Sequence, residues 1–493
     1  MEKESLFLGL DLGTSGVKVG VFDIQGNRLA GANAFYETRT PHPGWKEQDP
    51  QEWWAACTNA TSKALDTIDA SAVRAICVVG QSPALVCLDK SAESVRPALI
   101  WSDQRAVKEG LAVAQRLGPF AHFSLLPRLL WLKRNEPVAY HQTRWIFESF
   151  EYINFKLTGK IASIATSEHV WSERHIGALG LEPEKFPSDR FRFGEVYGEL
   201  LPALANAWAL PHGLPVIAGT IDAFAAWIGT ATVSKGQLCN TAGTSEGLAV
   251  VWDKPLSEPQ MRAVSVPHVT GHDWIVGGAM STGGIVLDWF AQQFYPQAKN
   301  PYAEIAKDAY AIPAGAEGLV GLPYLVGERS PIMDPQARGL FFGISEIHTR
   351  AHFARAVLES MAFAVRDVYE VIREMGAEIT EIRVGGGGAC NDALNQIKAD
   401  VLGQPVWIPA VMESSQVGAG IIAGWGAGFF ADLATAAKSM VKFRTVFEPD
   451  PKKQAIYNEL FALYRQLYQH LKIDFATLFR LNKELLQSTH LGK

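Results

Sequence analysis

Blocks of basic residues, paired cysteines and the two common nucleotide-binding motifs are all missing from this sequence of 493 residues. A net charge of −6 is spread along the chain, which argues against nucleic acid or an anionic membrane surface as the main partner. The five cysteines form no C-x-x-C pair, so reduced cytosolic thiols are expected. No G-x-x-x-x-G-K-S/T occurs, and Gly9, Gly13 and Gly16 are spaced wrongly for G-x-G-x-x-G, so neither standard nucleotide motif applies.

Long hydrophobic runs are also scarce. Residues 1–5 are too polar for a signal peptide, and the apolar run after them is too short for one. Residues 414–431 carry no charge and just reach membrane-spanning length, but Gly, Ala and Ser dominate and Gln416 lies inside. This segment predicts a small-residue helix packed closely against a neighbour. We therefore expect a cytoplasmic protein with no membrane partner.

The composition that remains is that of a large soluble protein. Hydrophobic residues make up 48% and charged residues 19% of the chain, and its length favours two domains over one. Strand-like apolar runs alternate with helical patterns, which indicates an α/β fold. The expected partners are small molecules.

The segment from residue 6 to residue 23 predicts a phosphate-binding hairpin. Two apolar runs flank a turn of small residues, in which glycines allow close backbone approach and the hydroxyls of Thr14 and Ser15 can donate hydrogen bonds. Lys18 adds positive charge, and Asp11 can hold Mg²⁺ directly or through water. An ordinary hairpin with a glycine turn would explain the glycines and hydroxyls equally well.

The middle of the chain adds a carboxylate and a second hairpin. Asp222 follows the strand-like residues 214–220, where an α/β fold places catalytic carboxylates, although it could simply cap the next helix. Gly243 and Thr244 begin a Gly-Thr-Ser turn between two strands, an approximate copy of the first hairpin. The two copies suggest related halves that face one nucleotide.

A four-glycine turn, residues 385–388, completes the candidate nucleotide site. It links a strand to a helix that starts near Asn391, and the lack of side chains suits the flat adenine and ribose. Tight packing alone is the alternative explanation. Polar residues at strand ends can line a cleft, and among the tryptophans Trp101 is the better ligand candidate.

These motifs together resemble the FGGY carbohydrate kinases, and within that family the xylulokinases. The similar segments are DLGTSGVK (11–18), GWKEQDP (44–50), WSDQR (101–105), GTID (219–222), GERSP (327–331), ARGLFFG (337–343) and GGGGACN (385–391). They occur in the family's order and extend nearly to residue 445.

The resemblance implies two actin-like, ribonuclease-H-like domains around a central nucleotide and sugar cleft. The expected boundaries are 1–250 for the sugar and phosphate domain, 251–445 for the adenosine domain and 446–493 for a helical tail. It implies MgATP as phosphate donor, a hydroxyl of a small sugar or polyol as acceptor, and a homodimer as one form of assembly. The implied roles are metal for Asp11, phosphate binding for Thr14, Ser15, Lys18, Gly243 and Thr244, adenosine binding for Gly386, Gly387 and Asn391, and catalytic base for Asp222.

The sugar pocket departs from the xylulokinase pattern. The expected sugar contacts are Gln81, Ser82, Trp101, Asp103 and Asp222. Pro83 replaces a histidine of that pattern, and Ala223 stands where asparagine is common, so two polar contacts are lost. We therefore expect another ketose or polyol, such as ribulose, erythritol or gluconate, to be preferred over D-xylulose. An actin-like or chaperone-type ATPase and an inert ATP-binding protein remain the alternatives.

Overall fold

A computed structural model describes residues 5–118, 121, 124–165 and 173–490, with side chains up to residue 482. Residues 1–4, on which the signal-peptide expectation partly rests, lie outside the described part. The chain forms two compact units. The first unit contains Met1–Val233, Val269–Gly271 and Glu413–Lys442, and the second contains Ser234–His268, His272–Met412 and Phe443–Lys493.

These units differ from the boundaries expected from the sequence. The main crossing between them comes after Val233 rather than at residue 250. Glu413–Lys442 belongs to the first unit although it lies late in the chain, and the helical tail belongs to the second unit. A linear division could not anticipate this return, because it depends on which neighbours the late helices pack against.

The helices and strands follow one another in this order. Up to residue 233 they are β1 (Leu6–Leu12), β2 (Gly16–Asp23), β3 (Arg28–Phe35), β4 (Glu47–Gln48), α1 (Pro50–Leu65), β5 (Val73–Gly80), β6 (Val86–Leu88), β7 (Ala98–Leu99), α2 (Val107–Leu117), α3 (Leu126–Asn135), α4 (Pro137–Gln142), β8 (Trp145–Phe147), α5 (Ser149–Thr158), β9 (Ser163–Ala165), α6 (Glu173–Ala178), β10 (Arg190–Arg192), β11 (Val196–Glu199), α7 (Pro202–Ala207), β12 (Pro215–Ile217) and α8 (Asp222–Gly229). The remainder are β13 (Gln237–Ala242), β14 (Glu246–Trp252), β15 (Val264–Pro267), β16 (Trp274–Ala279), α9 (Gly284–Phe294), α10 (Pro301–Ala311), β17 (Val320–Leu322), β18 (Leu340–Phe342), α11 (Arg350–Glu374), β19 (Glu381–Gly385), α12 (Asp392–Leu402), β20 (Val406–Pro409), α13 (Ser414–Gly426), α14 (Leu433–Met440), β21 (Phe443–Phe447) and α15 (Pro451–His490).

The first unit is built on a six-stranded sheet with the order β11-β12-β5-β1-β2-β3. Strand β1 pairs antiparallel with β2 and parallel with β5, and β5 continues parallel to β12. Every residue of β1 is buried, because β1 lies between two strands and both of its faces are covered. The continuous apolar run at the start of the sequence therefore forms the centre of this sheet.

The second unit repeats the same central arrangement. Its seven-stranded sheet has the order β15-β16-β14-β13-β19-β20-β21. The hairpin β13–β14 corresponds to β1–β2, and the parallel strands β19 and β20 correspond to β5 and β12. The similarity of the two Gly-Thr-Ser turns is thus accompanied by a shared strand order.

The small-residue helix predicted near the end of the chain is α13, which packs on the first unit. A Cβ added at Gly9 would lie 2.6 Å from the carbonyl oxygen of Gln416, and one at Gly418 would lie 2.0 Å from that of Ala225. Only glycine allows such backbone approach at these positions. Across the described residues, no helix is both long and apolar enough to cross a membrane.

Local sequence features account for two further helices. Asp49 caps α1 by accepting a hydrogen bond from the backbone N–H of Gln51 at 2.9 Å, with Pro50 in the first turn. Helix α11 presents its apolar residues to the core of the second unit, as expected from their three- and four-residue spacing.

Candidate active site

The first Gly-Thr-Ser turn joins β1 to β2 and is held by several contacts. Gly13 N donates to Gly16 O at 3.0 Å, and the hydroxyl of Tyr36 donates to Gly13 O. Trp101 Nε1 donates to Thr14 Oγ1 at 2.9 Å, so a predicted sugar contact touches a predicted phosphate contact. Lys18 is exposed. The turn is therefore a fixed hairpin with an exposed lysine beside it.

Asp11 lies at the carboxyl end of β1 and is buried, with 8% of its surface exposed. Its Oδ1 atom has no hydrogen-bond partner among the described residues, and Lys18 is the register partner of Asp11 on β2. Burial and, to a smaller extent, the nearby Asp222 charge raise the pKa of Asp11 to about 7, against an opposing effect of Lys18. A buried, unsatisfied carboxylate oxygen is costly alone but suits a hard cation such as Mg²⁺.

Asp222 is the first residue of α8, and residues 218–221 connect it to the end of β12. The N-cap of α8 is Ile221 and no side chain caps it, so helix capping does not explain Asp222. Its Oδ1 accepts a hydrogen bond from Ala223 N at 2.7 Å. Burial raises the pKa of Asp222 to about 6, while this hydrogen bond opposes the rise. Such a value suits a proton acceptor near neutral pH.

The predicted sugar contacts Gln81 and Ser82 follow β5. Gln81 Nε2 donates to Gln48 Oε1 at 2.8 Å, and Ser82 Oγ donates to Glu148 Oε1 at 3.0 Å. The other oxygen of Glu148 accepts from Ala84 N at 2.8 Å. Glu148 therefore holds both ends of the turn. Burial raises the pKa of Glu148 to about 8. Sequence reasoning missed this residue, since no local pattern links it to Ser82.

Trp101 and Asp103 differ in solvent exposure. The Trp101 side chain is 44% exposed beside Thr14. Asp103 is buried and its carboxylate accepts hydrogen bonds from Arg105 Nε at 2.9 Å and from Lys46 N at 2.6 Å. Arg105 in turn lies 3.8 Å from the Trp45 ring centroid. Asp103 thus organises the loop that carries Trp101, and its direct contact with sugar stays a prediction.

In the second unit, the Gly-Thr-Ser turn meets the start of α9. Gly284 N donates to Gly243 O at 2.8 Å, and Ile285 N donates to Thr244 O at 3.0 Å. A Cβ at Gly388 would lie 2.5 Å from the Ala242 Cβ, so the four-glycine turn packs against the same hairpin. Both predicted nucleotide motifs of this unit are adjacent.

The adenosine candidates border one cavity of about 740 Å³. Gly243, Thr244, Gly387 and Asn391 all line it. Asn391 caps α12, with its Oδ1 accepting from Leu394 N at 3.0 Å. Its Nδ2 is buried and has no hydrogen-bond partner in the part of the chain that the structure describes. Gly386 is adjacent, at a φ of 88° that favours glycine. The cavity offers backbone approach and an unused amide donor, as a nucleoside site requires.

A buried ion pair connects these two motifs, and sequence reasoning missed it. Lys398 of α12 places its Nζ 2.7 Å from Glu246 Oε2 and 2.7 Å from Asn240 Oδ1. Asn240 Nδ2 also donates to Glu246 Oε2 at 2.9 Å. Glu246 directly follows the Gly-Thr-Ser turn. The position of a lysine on a buried helix face was the available signal, but its partner is 152 residues away.

Comparison with known proteins places these features in context. The N-terminal domain of the FGGY family of carbohydrate kinases matches residues 6–229, and the C-terminal domain of that family matches residues 238–427. The chain is 30% identical to a xylulose kinase of Escherichia coli, covering 94% of this chain and 99% of the relative. It is 25% identical to a gluconokinase of Bacillus subtilis, over 96% of this chain and 97% of the relative. The crystal structure of a xylulose kinase from Rhodospirillum rubrum superimposes with a TM-score of 0.84 at 28% identity, covering 96% of this chain and 100% of that one.

Proposed function

Because the chain belongs to the FGGY family of carbohydrate kinases and so phosphorylates a small sugar or polyol with ATP, we propose that Asp222 is its catalytic base. The observation that carries this proposal is the position of Asp222 at a strand end beside Asp11, with a pKa of about 6. At neutral pH most of the carboxylate is ionised. It can accept the proton of the sugar hydroxyl as that oxygen attacks the γ-phosphorus.

We further propose that Asp11 is the residue that associates with Mg²⁺. The partnerless Oδ1 supports this assignment, and a bound Mg²⁺ would supply charge neutralisation for the phosphates. Lys18, Thr14 and Ser15 bind phosphate oxygens beside it. In the second unit, Gly243 and Thr244 contribute a second phosphate contact.

The adenosine assignment rests on the large cavity of the second unit. Gly386 and Gly387 leave the backbone open to a flat base, and the unused Nδ2 of Asn391 can donate to an acceptor on adenosine. Because phosphoryl transfer requires little covalent help, these residues act by positioning ATP for in-line attack.

For the acceptor, we propose a small ketose or polyol other than D-xylulose as the preferred substrate. Pro83 and Ala223 offer no polar side-chain group where the xylulokinase pattern has histidine and commonly asparagine. Losing two hydroxyl partners weakens xylulose binding by about 1 to 3 kcal/mol. Gln81, Ser82 and Trp101 are the side chains that remain to shape the pocket.

The deciding experiment measures ADP release with a coupled assay. The panel contains D-xylulose, D- and L-ribulose, L-xylulose, erythritol, xylitol, glycerol and gluconate, each compared by kcat/KM. We expect another ketose or a polyol to give a higher kcat/KM than D-xylulose. Asp222→Asn should remove most of the ADP release with every accepted compound. If D-xylulose has clearly the highest kcat/KM of the panel, the specificity proposal is overturned. Equal ADP release with and without every sugar would instead indicate an ATPase of the actin-like or chaperone type.

The cysteines support a cytoplasmic location, which we also propose. Cys57, Cys77, Cys87 and Cys239 are buried and Cys390 is exposed, and none of the five forms a disulfide bond within the described part of the chain. Burial raises the pKa of Cys87 to about 11, so this thiol stays protonated and unreactive.

A further inference from the structure

The second unit contains another cavity, of about 350 Å³, which we call the α15 cavity. It is bordered by α11, α15, the loop 331–333 and the segment that precedes β15. It shares no lining residue with the cavity of about 740 Å³ that we propose for adenosine. Its volume is near the lower end of the range of about 300 to 1,000 Å³ found for small-molecule sites. One small compound fits it.

The rim of the α15 cavity is positively charged. Arg465 and Lys472 are exposed residues of α15 that line it. Arg465 has 47% of its side chain exposed and forms one ion pair, through Nε, with Asp367 at 3.4 Å. A third cation, Arg262, is balanced by Glu258 at 2.8 Å and Glu374 at 3.1 Å. Because Arg465 is paired through Nε alone, its terminal guanidinium nitrogens and the ammonium of Lys472 are the cationic groups of the rim without an ion pair among the described residues.

The interior of the cavity contains a carboxylate and tyrosine rings rather than cations. Asp367 is buried, and burial raises its pKa to about 6, so it is mostly ionised at neutral pH and repels an anion that enters deeply. The same carboxylate can accept hydrogen bonds from hydroxyl groups. The hydroxyls of Tyr324 and Tyr464 bond each other, and Tyr468 OH donates to Asp334 Oδ2 at 2.9 Å, so these tyrosines offer ring faces.

We propose that the α15 cavity binds a small phosphate monoester that carries hydroxyl groups, such as a sugar phosphate. The phosphate lies at the rim against Arg465 and Lys472, and the hydroxyls point inward to Asp367. Arginine and lysine are the usual partners of phosphate, and the tyrosine faces pack against the carbon chain. Binding to this cavity does not depend on the assigned roles of Asp11 or Asp222.

The cavity is joined to the second phosphate turn by consecutive contacts. Its loop 331–333 follows Glu328, whose buried carboxylate accepts the backbone N–H groups of Ser281 and Thr282, the latter at 3.1 Å. Thr282 O accepts from Glu246 N at 3.0 Å, next to the Gly-Thr-Ser turn. A ligand that shifts loop 331–333 therefore changes the affinity for ATP, and ATP changes its affinity by the same factor.

Titration calorimetry on the full chain tests this proposal. A saturating accepted sugar and a non-hydrolysable ATP analogue first occupy the active site, and D-ribulose 5-phosphate is then titrated. We expect one binding event. Lys472→Gln, a change at an exposed position, should weaken it at least about tenfold, and Arg465→Gln/Lys472→Gln should weaken it further. The matched control Lys452→Gln/Lys453→Gln removes the same charge from the same helix and should leave binding unchanged.

Two further measurements define the ligand and its effect. Inorganic phosphate should bind about tenfold more weakly than the ester. Asp367→Asn should narrow this difference, because it removes the negative charge that repels phosphate from the interior and replaces a charged hydroxyl acceptor by a weaker amide oxygen. When no sugar is present, the ester should also change the affinity of the wild-type protein for the ATP analogue. It should leave the affinity of Lys472→Gln for the analogue unchanged. Absence of binding, or binding unaffected by Lys472→Gln, overturns the site. Equal affinity for inorganic phosphate overturns the ligand class, and an unchanged analogue affinity overturns the coupling.

Discussion

Replacing Lys398 by methionine should strongly destabilise the second unit. The ammonium of Lys398 and the carboxylate of Glu246 are almost completely buried, with side-chain exposures of 1% and 3%. Methionine fills the volume of the aliphatic stem but leaves Glu246 as a buried charge with only Asn240 as a neutral donor. Breaking one partner of a buried pair costs about 3 to 5 kcal/mol. This is a large share of the roughly 5 to 15 kcal/mol that stabilises a typical protein.

The same substitution should weaken nucleotide binding. Lys398 lies on α12, whose first residues border the cavity that we propose for adenosine, and Glu246 adjoins the Gly-Thr-Ser turn of the second unit. Without the pair, the charged contact between the residue after this turn and the helix is lost. We therefore expect lower affinity for an ATP analogue and little change in sugar binding. Urea denaturation gives the stability, and calorimetry gives both affinities.

A double variant separates pairing from packing. Glu246→Gln keeps an acceptor for Asn240 but carries no charge, so Lys398→Met/Glu246→Gln should be clearly more stable than Lys398→Met. Lys235→Met removes an exposed pair with Asp253 in the same unit and should leave the urea midpoint nearly unchanged. The reasoning is refuted if Lys398→Met costs less than about 1 kcal/mol, or if the double variant is no more stable than the single one.

Three other outcomes are expected. Asp222→Asn should lower the rate of transfer by roughly 10² to 10⁴ while ATP-analogue affinity by calorimetry stays nearly constant, and a wild-type rate would remove Asp222 as the base. Asp11→Asn should raise the Mg²⁺ concentration for half-maximal activity, and an unchanged Mg²⁺ titration would contradict the metal assignment. Because burial raises the pKa of Glu148 from about 4.5 to about 8, its contribution to stability is complete below the lower value and is lost as pH rises towards the upper one. Between these two pH values, the thermal unfolding midpoint should therefore fall more for the wild type than for Glu148→Gln. Parallel plots of the midpoint against pH for the two proteins would refute the raised pKa.

Local chemistry in the sequence was enough to predict two turns of the candidate nucleotide site and one helix start. The hairpin around Gly13, the helix begun by Asp49 and the glycine turn at 385–388 each depend on residues close together in the chain. Turn geometry, capping and backbone freedom are decided over a few residues, so their signals are local. The family and the α/β class followed from the order of these local signals.

Long-range packing decided the rest. The small residues of 414–431 predicted close packing, yet only the folded chain shows that Gly418 meets Ala225 and so returns this helix to the first unit. Likewise, the environments of Glu148 and Lys398 depend on partners at Ser82 and Glu246. A sequence determines which side chains are available at each turn and helix. Burial, pKa and ion pairing arise only when distant segments exclude water together, and those properties therefore belong to the tertiary structure.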